Sequence, residues 1–190
     1  MQGSSERRSV VLVAPDGSVI ASAPKLEAHQ SPGSLHLAFS VFLYRPDGAL
    51  LLQRRALGKY HFPGVWANAC CSHPQPGDDL VGSAERRVKE ELGVSCALRE
   101  VGVFTYRATC VASGLVEHER DHVFVGRCDG ALSPDPDEVA ELAFVELARL
   151  TAALGAPRRT ADGLGLEGHF APWLRAALQV ARPHLPGGAG

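Results

Sequence analysis

Hydrophobic and polar positions alternate most cleanly between Leu35 and Tyr44, where Leu35, Leu37, Phe39, Val41 and Leu43 fall on one face of a period-two pattern. That run predicts a strand. Pro46-Asp47-Gly48 turns it back into Ala49–Arg54, a second strand and a hairpin. An earlier hairpin is written the same way, with Val10–Ala14, the turn Pro15-Asp16-Gly17-Ser18, and Val19-Ile20-Ala21. The period changes to 3.6 over Leu80–Leu92: Asp78-Asp79 opens this helix, Gly93 closes it, and Leu80, Ala84 and Val88 form its apolar stripe. Strand patterns follow at Val101–Tyr106, Leu115–Arg127 and Leu142–Val145, and helices at Glu146–Leu154 and Pro172–Ala181. Between the second hairpin and the first long helix lies an irregular stretch, Ala56–Pro76, and a loop of that length in a compact domain is usually functional. The order of elements predicts an α+β fold, a mixed β-sheet sandwiched by helices.

A length of 190 residues predicts a single domain. It is expected over residues 9–182, with 1–8 read as a flexible polar N-terminus and 183–190 as a flexible Pro-Gly-rich tail. Nineteen Lys and Arg against 21 Asp and Glu leave a net charge of −2, which offers no electrostatic footprint for nucleic acid or an anionic membrane. No apolar run approaches the ~18 residues of a membrane span, and no basic-then-apolar leader is present, so a cytoplasmic protein is expected. The five cysteines, Cys70, Cys71, Cys96, Cys110 and Cys128, are odd in number and lack a Cys-x-x-Cys spacing. A disulfide framework is therefore not expected.

Three groups of residues carry candidate chemistry. On the helical wheel Arg87 and Glu91 fall within about 20° of Leu80, inside the core-facing stripe, while Arg86, Lys89 and Glu90 point elsewhere. They are either an i,i+4 pair at the edge of the core or two charges aimed at a metal and an anion. In Glu117-His118-Glu119 the period of a strand puts both carboxylates on one face, where they repel unless solvent or a cation separates them. His29, His36 and His73 complete a candidate three-histidine, two-glutamate set suited to a divalent ion. Spacing alone does not assemble ligands this far apart in the chain.

At these residues the chain resembles the type 1 isopentenyl-diphosphate isomerases of the Nudix fold superfamily. The matching segments are Lys25-Leu26-Glu27-Ala28-His29, Leu35-His36-Leu37-Ala38-Phe39-Ser40, Arg54-Arg55-Ala56-Leu57-Gly58-Lys59 and Phe62-Pro63-Gly64-Val65-Trp66-Ala67-Asn68. Cys70-Cys71-Ser72-His73-Pro74, Glu91-Leu92-Gly93-Val94, Tyr106-Arg107-Ala108, Glu117-His118-Glu119 and Pro172-Trp173 follow in order. The box that Nudix hydrolases use for metal-assisted diphosphate cleavage is altered. Ser72 stands at its glycine, Asp78 at its first glutamate and Arg87 at a metal-binding glutamate, while Glu90 and Glu91 keep the final acidic pair. A cation at a metal-ligand position argues for keeping the diphosphate intact.

The resemblance implies an enzyme of isoprenoid biosynthesis that interconverts isopentenyl and dimethylallyl diphosphate through a tertiary carbocation. It implies one divalent metal, zinc or manganese, on His29, His36, His73, Glu117 and Glu119. A Mg²⁺ bridging to the substrate would be reached by Glu91, with the Cys71 carbonyl as a second ligand. Lys25, Arg55, Lys59 and Arg87 would hold the diphosphate. Arg54 competes with Arg55 for that role, and strand alternation leaves the choice open. Cys71, Glu119 and Tyr106 would handle protons, with Cys71 preferred over Cys70 by its spacing to His73. Trp173, and also Trp66, would offer a π face to the cation. The expected partner is the small-molecule substrate, with no nucleic acid and no membrane span, on a monomer or weak dimer. A Nudix diphosphohydrolase acting on a nucleotide or sugar diphosphate is the alternative.

Overall fold

The structure, a computed structural model, describes residues 9–157 and 160–188; the N-terminal segment 1–8 and the last two residues of the tail lie outside the described residues. Ser9–Val13 (β1) and Val19–Pro24 (β2) form the first hairpin. Lys25–His29 (α1) is a single short helix that begins directly after Pro24, too brief to leave a periodic signal. His36–Tyr44 (β3) and Leu50–Arg55 (β4) form the second hairpin, joined through the Tyr44–Leu50 pair. The stretch 56–76, read as irregular, contains two three-residue strands, Trp66–Asn68 (β5) and Cys70–Ser72 (β6). They escape a periodicity reading because three residues show no period.

Leu80–Leu92 (α2) has the bounds its pattern predicted, with the Asp79 carboxylate accepting from the Gly82 N–H at 2.7 Å and Gly93 at φ 71° ending it in a left-handed cap. Leu98–Thr109 (β7) and Val116–Arg127 (β8) pair antiparallel, and Val139–Val145 (β9) lies against β4. Leu147–Gly155 (α3) and Leu174–Ala181 (α4) complete the chain. Helix α4 starts two residues later than its pattern suggested, with Trp173 as its N-cap residue. From the segment read as a C-terminal tail, Leu185 is buried in the core.

Strand β3 is the hub of one mixed sheet. It runs parallel to β8 for nine pairs, from His36–Glu119 to Tyr44–Arg127, and antiparallel to β6. Both faces of β3 are buried, not the one face that alternation implied, because helices cover the sheet on both sides. Phe39, Val41 and Leu43 pack with Ala84, Val88 and Leu92 of α2 in one cluster. Phe42 joins Val123, Val125, Trp66, α3 and α4 in the other. Strand β8 divides its inward side: Glu117, Glu119 and Asp121 are polar, then Val123 and Val125 are core. The polar half of that strand is where the site begins.

Candidate active site

Glu117 and Glu119 leave β8 on the same face, and the parallel ladder puts His36 opposite Glu119. Helix α1 brings His29 and the segment after β6 brings His73. One ligand atom from each of His29, His36, His73, Glu117 and Glu119 lies within 4.8 Å of the others, and all five residues are buried. The His29 Nδ1–H donates to the Lys25 carbonyl and the His36 Nδ1–H to the Ser34 carbonyl, both at 2.7 Å. Each Nε2 therefore turns inward, the arrangement in which a backbone acceptor orients a metal-binding imidazole. The buried His36 Nε2 has no hydrogen-bond partner and stands 3.7 Å from Glu119 Oε1. Three imidazoles and two carboxylates around an orphaned ring nitrogen fit a divalent ion of borderline softness.

The charges of the cluster are unequal. Burial works against the Glu117 carboxylate, but the His61 and His29 imidazoles at its two oxygens outweigh it and hold its carboxyl well below the usual range. Burial and the neighbouring Glu117 charge push Glu119 up. Glu119 Oε1 lies 2.8 Å from His73 Nε2, and its Oε2 accepts from the Tyr106 hydroxyl at 2.6 Å. Burial, then the Glu119 charge, carries the Tyr106 phenol well above its ordinary value. Asp121, next on the same face, is raised by burial and by Glu119, and accepts from the Ser40 hydroxyl at 2.7 Å.

The cluster opens onto a cavity lined by Lys25, Arg55, Lys59, Arg87, Cys71 and Trp173, together with Tyr106, Glu91 and Glu138. Helix α2 delivers Arg87 and Glu91 to it as the wheel indicated: Arg87 reaches Glu91 at 2.5 Å, Glu90 at 2.6 Å and Glu138 at 3.3 Å. Glu138 also meets the Lys59 ammonium. Burial and the nearby Arg55 push Lys59 down to about 7, and burial brings Lys25 to about 8. Ammonium groups that give up solvation in a cavity wall are stabilised by an anion brought to them.

The structure places the two members of each adjacent pair, Arg54 and Arg55, Cys70 and Cys71, on different sides. Arg54 bonds Glu141 at the partly exposed edge, whereas Arg55 is buried in the cavity wall and donates to the carbonyls of Phe62 and His61. Cys70 is fully buried against α2, and Cys71 turns the other way into the cavity. Trp66 does not offer a face to the cavity; it is 1% exposed in the core and its indole N–H donates to the Glu167 carbonyl. Trp173 does line it, with its ring centroid 6.0 Å from that of Tyr106 and 5.5 Å from that of Phe62.

Other residues of the site carried no sequence signal. His61 donates from Nε2 to Glu117 Oε1 at 2.7 Å, and burial holds it down to about 4, hence neutral. Glu138 and Ser40 stand alone in unremarkable surroundings in the chain. Asn68 could have been noticed only as part of the segment that precedes the paired cysteines.

The fold and the box define the class of protein: residues 34–162 match the family model of the NUDIX domain. An isopentenyl-diphosphate Delta-isomerase of Streptomyces griseus is 49% identical over 184 residues, covering 96% of this chain and 88% of that relative. One of Nocardia farcinica is 46% identical over 172 residues, covering 90% of this chain and 93% of its own length. The chain belongs to the isopentenyl-diphosphate Delta-isomerase family within the Nudix fold. A crystal structure from Deinococcus radiodurans superposes with a TM-score of 0.69 at 17% identity, over 92% of this chain and 100% of that one, a likeness of fold. Among the described residues no helix is long and apolar enough to cross a membrane.

Proposed function

We infer that the chain interconverts isopentenyl diphosphate and dimethylallyl diphosphate by a proton shift across three carbons, in the cytoplasm and as a monomer or weak dimer. The observation that carries this reading is one cavity that gathers Glu119 with Tyr106, the Cys71 thiol, an indole face and a set of cations. Lys25, Arg55, Lys59 and Arg87 hold the diphosphate, the guanidinium forks being suited to its oxygens. Glu119 gives a proton to C4; the alkene electron pair forms the new C–H bond and leaves a tertiary cation at C3. Cys71 sulfur takes a proton from C2, and that C–H pair becomes the new double bond. Burial and the Asp121 charge push the Cys71 thiol up to about 12, so the resting sulfur is protonated. For forward turnover that proton first passes to bulk water and the thiolate it leaves is the base, while in the reverse direction the thiol is the acid as it stands. Trp173, Tyr106 and Phe62 keep water from the cation, and the Trp173 face stabilises it.

His29, His36, His73, Glu117 and Glu119 would hold zinc or manganese, whose charge, when bound, fixes the Glu119 carboxyl. Glu91 and the Cys71 carbonyl offer the oxygen ligands that Mg²⁺ prefers, and Mg²⁺ when bound offsets the diphosphate charge. The test is incubation with isopentenyl diphosphate and Mg²⁺ in D₂O, followed by NMR. Dimethylallyl diphosphate carrying solvent deuterium is expected, with no orthophosphate; orthophosphate release without the allylic isomer refutes the reading in favour of a hydrolase.

Chelation supplies a further test. A ligand held only by the native state stabilises it by about 2.7 kcal/mol at 100-fold over its Kd, on the order of 5–10 °C in a chain of this size. Metal-stripped protein should melt lower by that amount and recover with zinc or manganese. His61→Phe, which removes the hydrogen bond to Glu117, should lower metal affinity by roughly 10–100-fold in a competition titration against a colorimetric chelator. Identical melting curves with and without metal would count against the cluster as a metal site.

A further inference from the structure

We propose that Asn68 is a positioning residue that locks the Cys71 thiol and the Trp173 indole to a single oxygen atom, and thereby sets how the carbocation partitions. Asn68 ends β5 and is fully buried. Its Nδ2 donates to the Val41 carbonyl at 3.2 Å and to the Cys70 carbonyl at 2.9 Å. These two acceptors anchor the amide to β3 and β6 and leave only one orientation of the carboxamide in which every polar atom is satisfied. Its Oδ1 is thereby aimed at the cavity wall, where it accepts from the Cys71 thiol at 3.0 Å and from the Trp173 indole N–H at 3.2 Å. Both amide protons and both oxygen lone pairs are used.

The two donors come from distant parts of the chain, strand β6 and the start of α4, and Asn68 is their shared acceptor. Ser40 stands on the other side of the sulfur, its Oγ 3.8 Å from Cys71 Sγ, with its own proton committed to Asp121. A proton on the sulfur therefore points at Asn68 or Ser40, within the wall, and sulfur lone pairs are left for the cavity. When the thiol has taken the C2 proton, that proton turns toward Asn68 and away from the allylic product. The indole ring is held at a fixed offset from the same sulfur, so the π face and the base address neighbouring carbons of one cation. Asn68 has no polar atom left for the substrate, which makes it a positioning residue and not a catalytic one.

The inference rests on the reading that Glu119 protonates C4 and Cys71 deprotonates C2. A cation that is not deprotonated at C2 returns by losing a proton from its C4 methyl group, and in D₂O that return leaves deuterium in recovered isopentenyl diphosphate. The ratio of deuterium in recovered substrate to dimethylallyl diphosphate formed reads the partition directly. A mere loss of folded enzyme lowers both amounts and leaves the ratio alone. Asn68→Leu, close in shape, should lower kcat on the order of 10²-fold with KM within about twofold, and should raise the ratio several-fold. Trp173→Phe keeps an aromatic face, though a smaller one, and removes the N–H that Asn68 accepts; it carries the test if Asn68→Leu does not fold, and its ratio should rise in the same direction. A lowered kcat with an unchanged ratio in the folded variants overturns the role of Asn68 and leaves the assignment of Cys71 standing. Dimethylallyl diphosphate formation at the wild-type rate by Cys71→Ala overturns the underlying reading, and the inference with it.

Discussion

Cys71→Ala should lose isomerase turnover by ~10²–10⁴-fold, the usual worth of a positioned proton-transfer group, while Cys70→Ala keeps most of it. The adjacent thiols differ because a strand sends consecutive side chains to opposite faces. Cys71 lines the cavity between Ser40 and Asn68, and Cys70 is fully buried with Phe39, Val41, Ala84 and Val88 on the α2 side. Cys70→Ala should therefore appear in the melting curve, at about 1 kcal/mol for a small core cavity, and hardly in kcat. Steady-state kinetics and thermal melts on the two single variants separate these effects. Equal loss of kcat in both would show that the sulfur facing the cavity is not the proton carrier.

The carboxylates of β8 give the second large effect. Glu119→Gln keeps the shape and one metal-binding oxygen but cannot cycle a proton, so turnover should collapse by ~10²–10⁴-fold while metal content falls modestly. Glu119 is the member of the pair that burial and the Glu117 charge raise, and the one that accepts from Tyr106. Glu117 is held ionised by His29 and His61, so it is the carboxylate that would carry the charge toward a bound ion. Glu117→Gln should reverse the emphasis, with weaker metal retention and activity partly restored by excess metal. Metal analysis beside kinetics at several metal concentrations checks both. Rescue of Glu119→Gln to near wild-type turnover by added metal would reduce Glu119 to a ligand and leave Tyr106 or a bound water as the acid.

What could be read from the sequence was whatever one element's own geometry dictates. Helix α2 carries its cap, its stop and the inward turn of Arg87 and Glu91 within its own residues, and the Glu-x-Glu of β8 needs only the period of a strand. Arg55 could not be separated from Arg54 in that way, because the pairing of β4 with β9 shifts register between those two residues, and alternation no longer tells which faces inward. His61 and Asn68 were silent for a different reason. Each acts through a partner more than 50 or 100 residues away, Glu117 for His61 and Trp173 for Asn68, brought near by a tertiary fold that no local pattern encodes. The resemblance to a family supplied the grouping of His29, His36 and His73 that spacing withheld.

The parallel pairing of β3 with β8 also sets the order in which the molecule can be made. His36 meets Glu119 across that ladder, and His29 meets Glu117 over a separation of 88 residues. Contacts of such long range form late, because the chain must close large loops before it gains from them. The cluster that could hold a metal thus does not exist on a nascent or half-folded chain that has yet to dock β8. An ion bound by this cluster could not template the fold as it does a zinc finger; it would meet a finished sheet, so metal supply would govern how long the folded protein lasts far more than how quickly it forms.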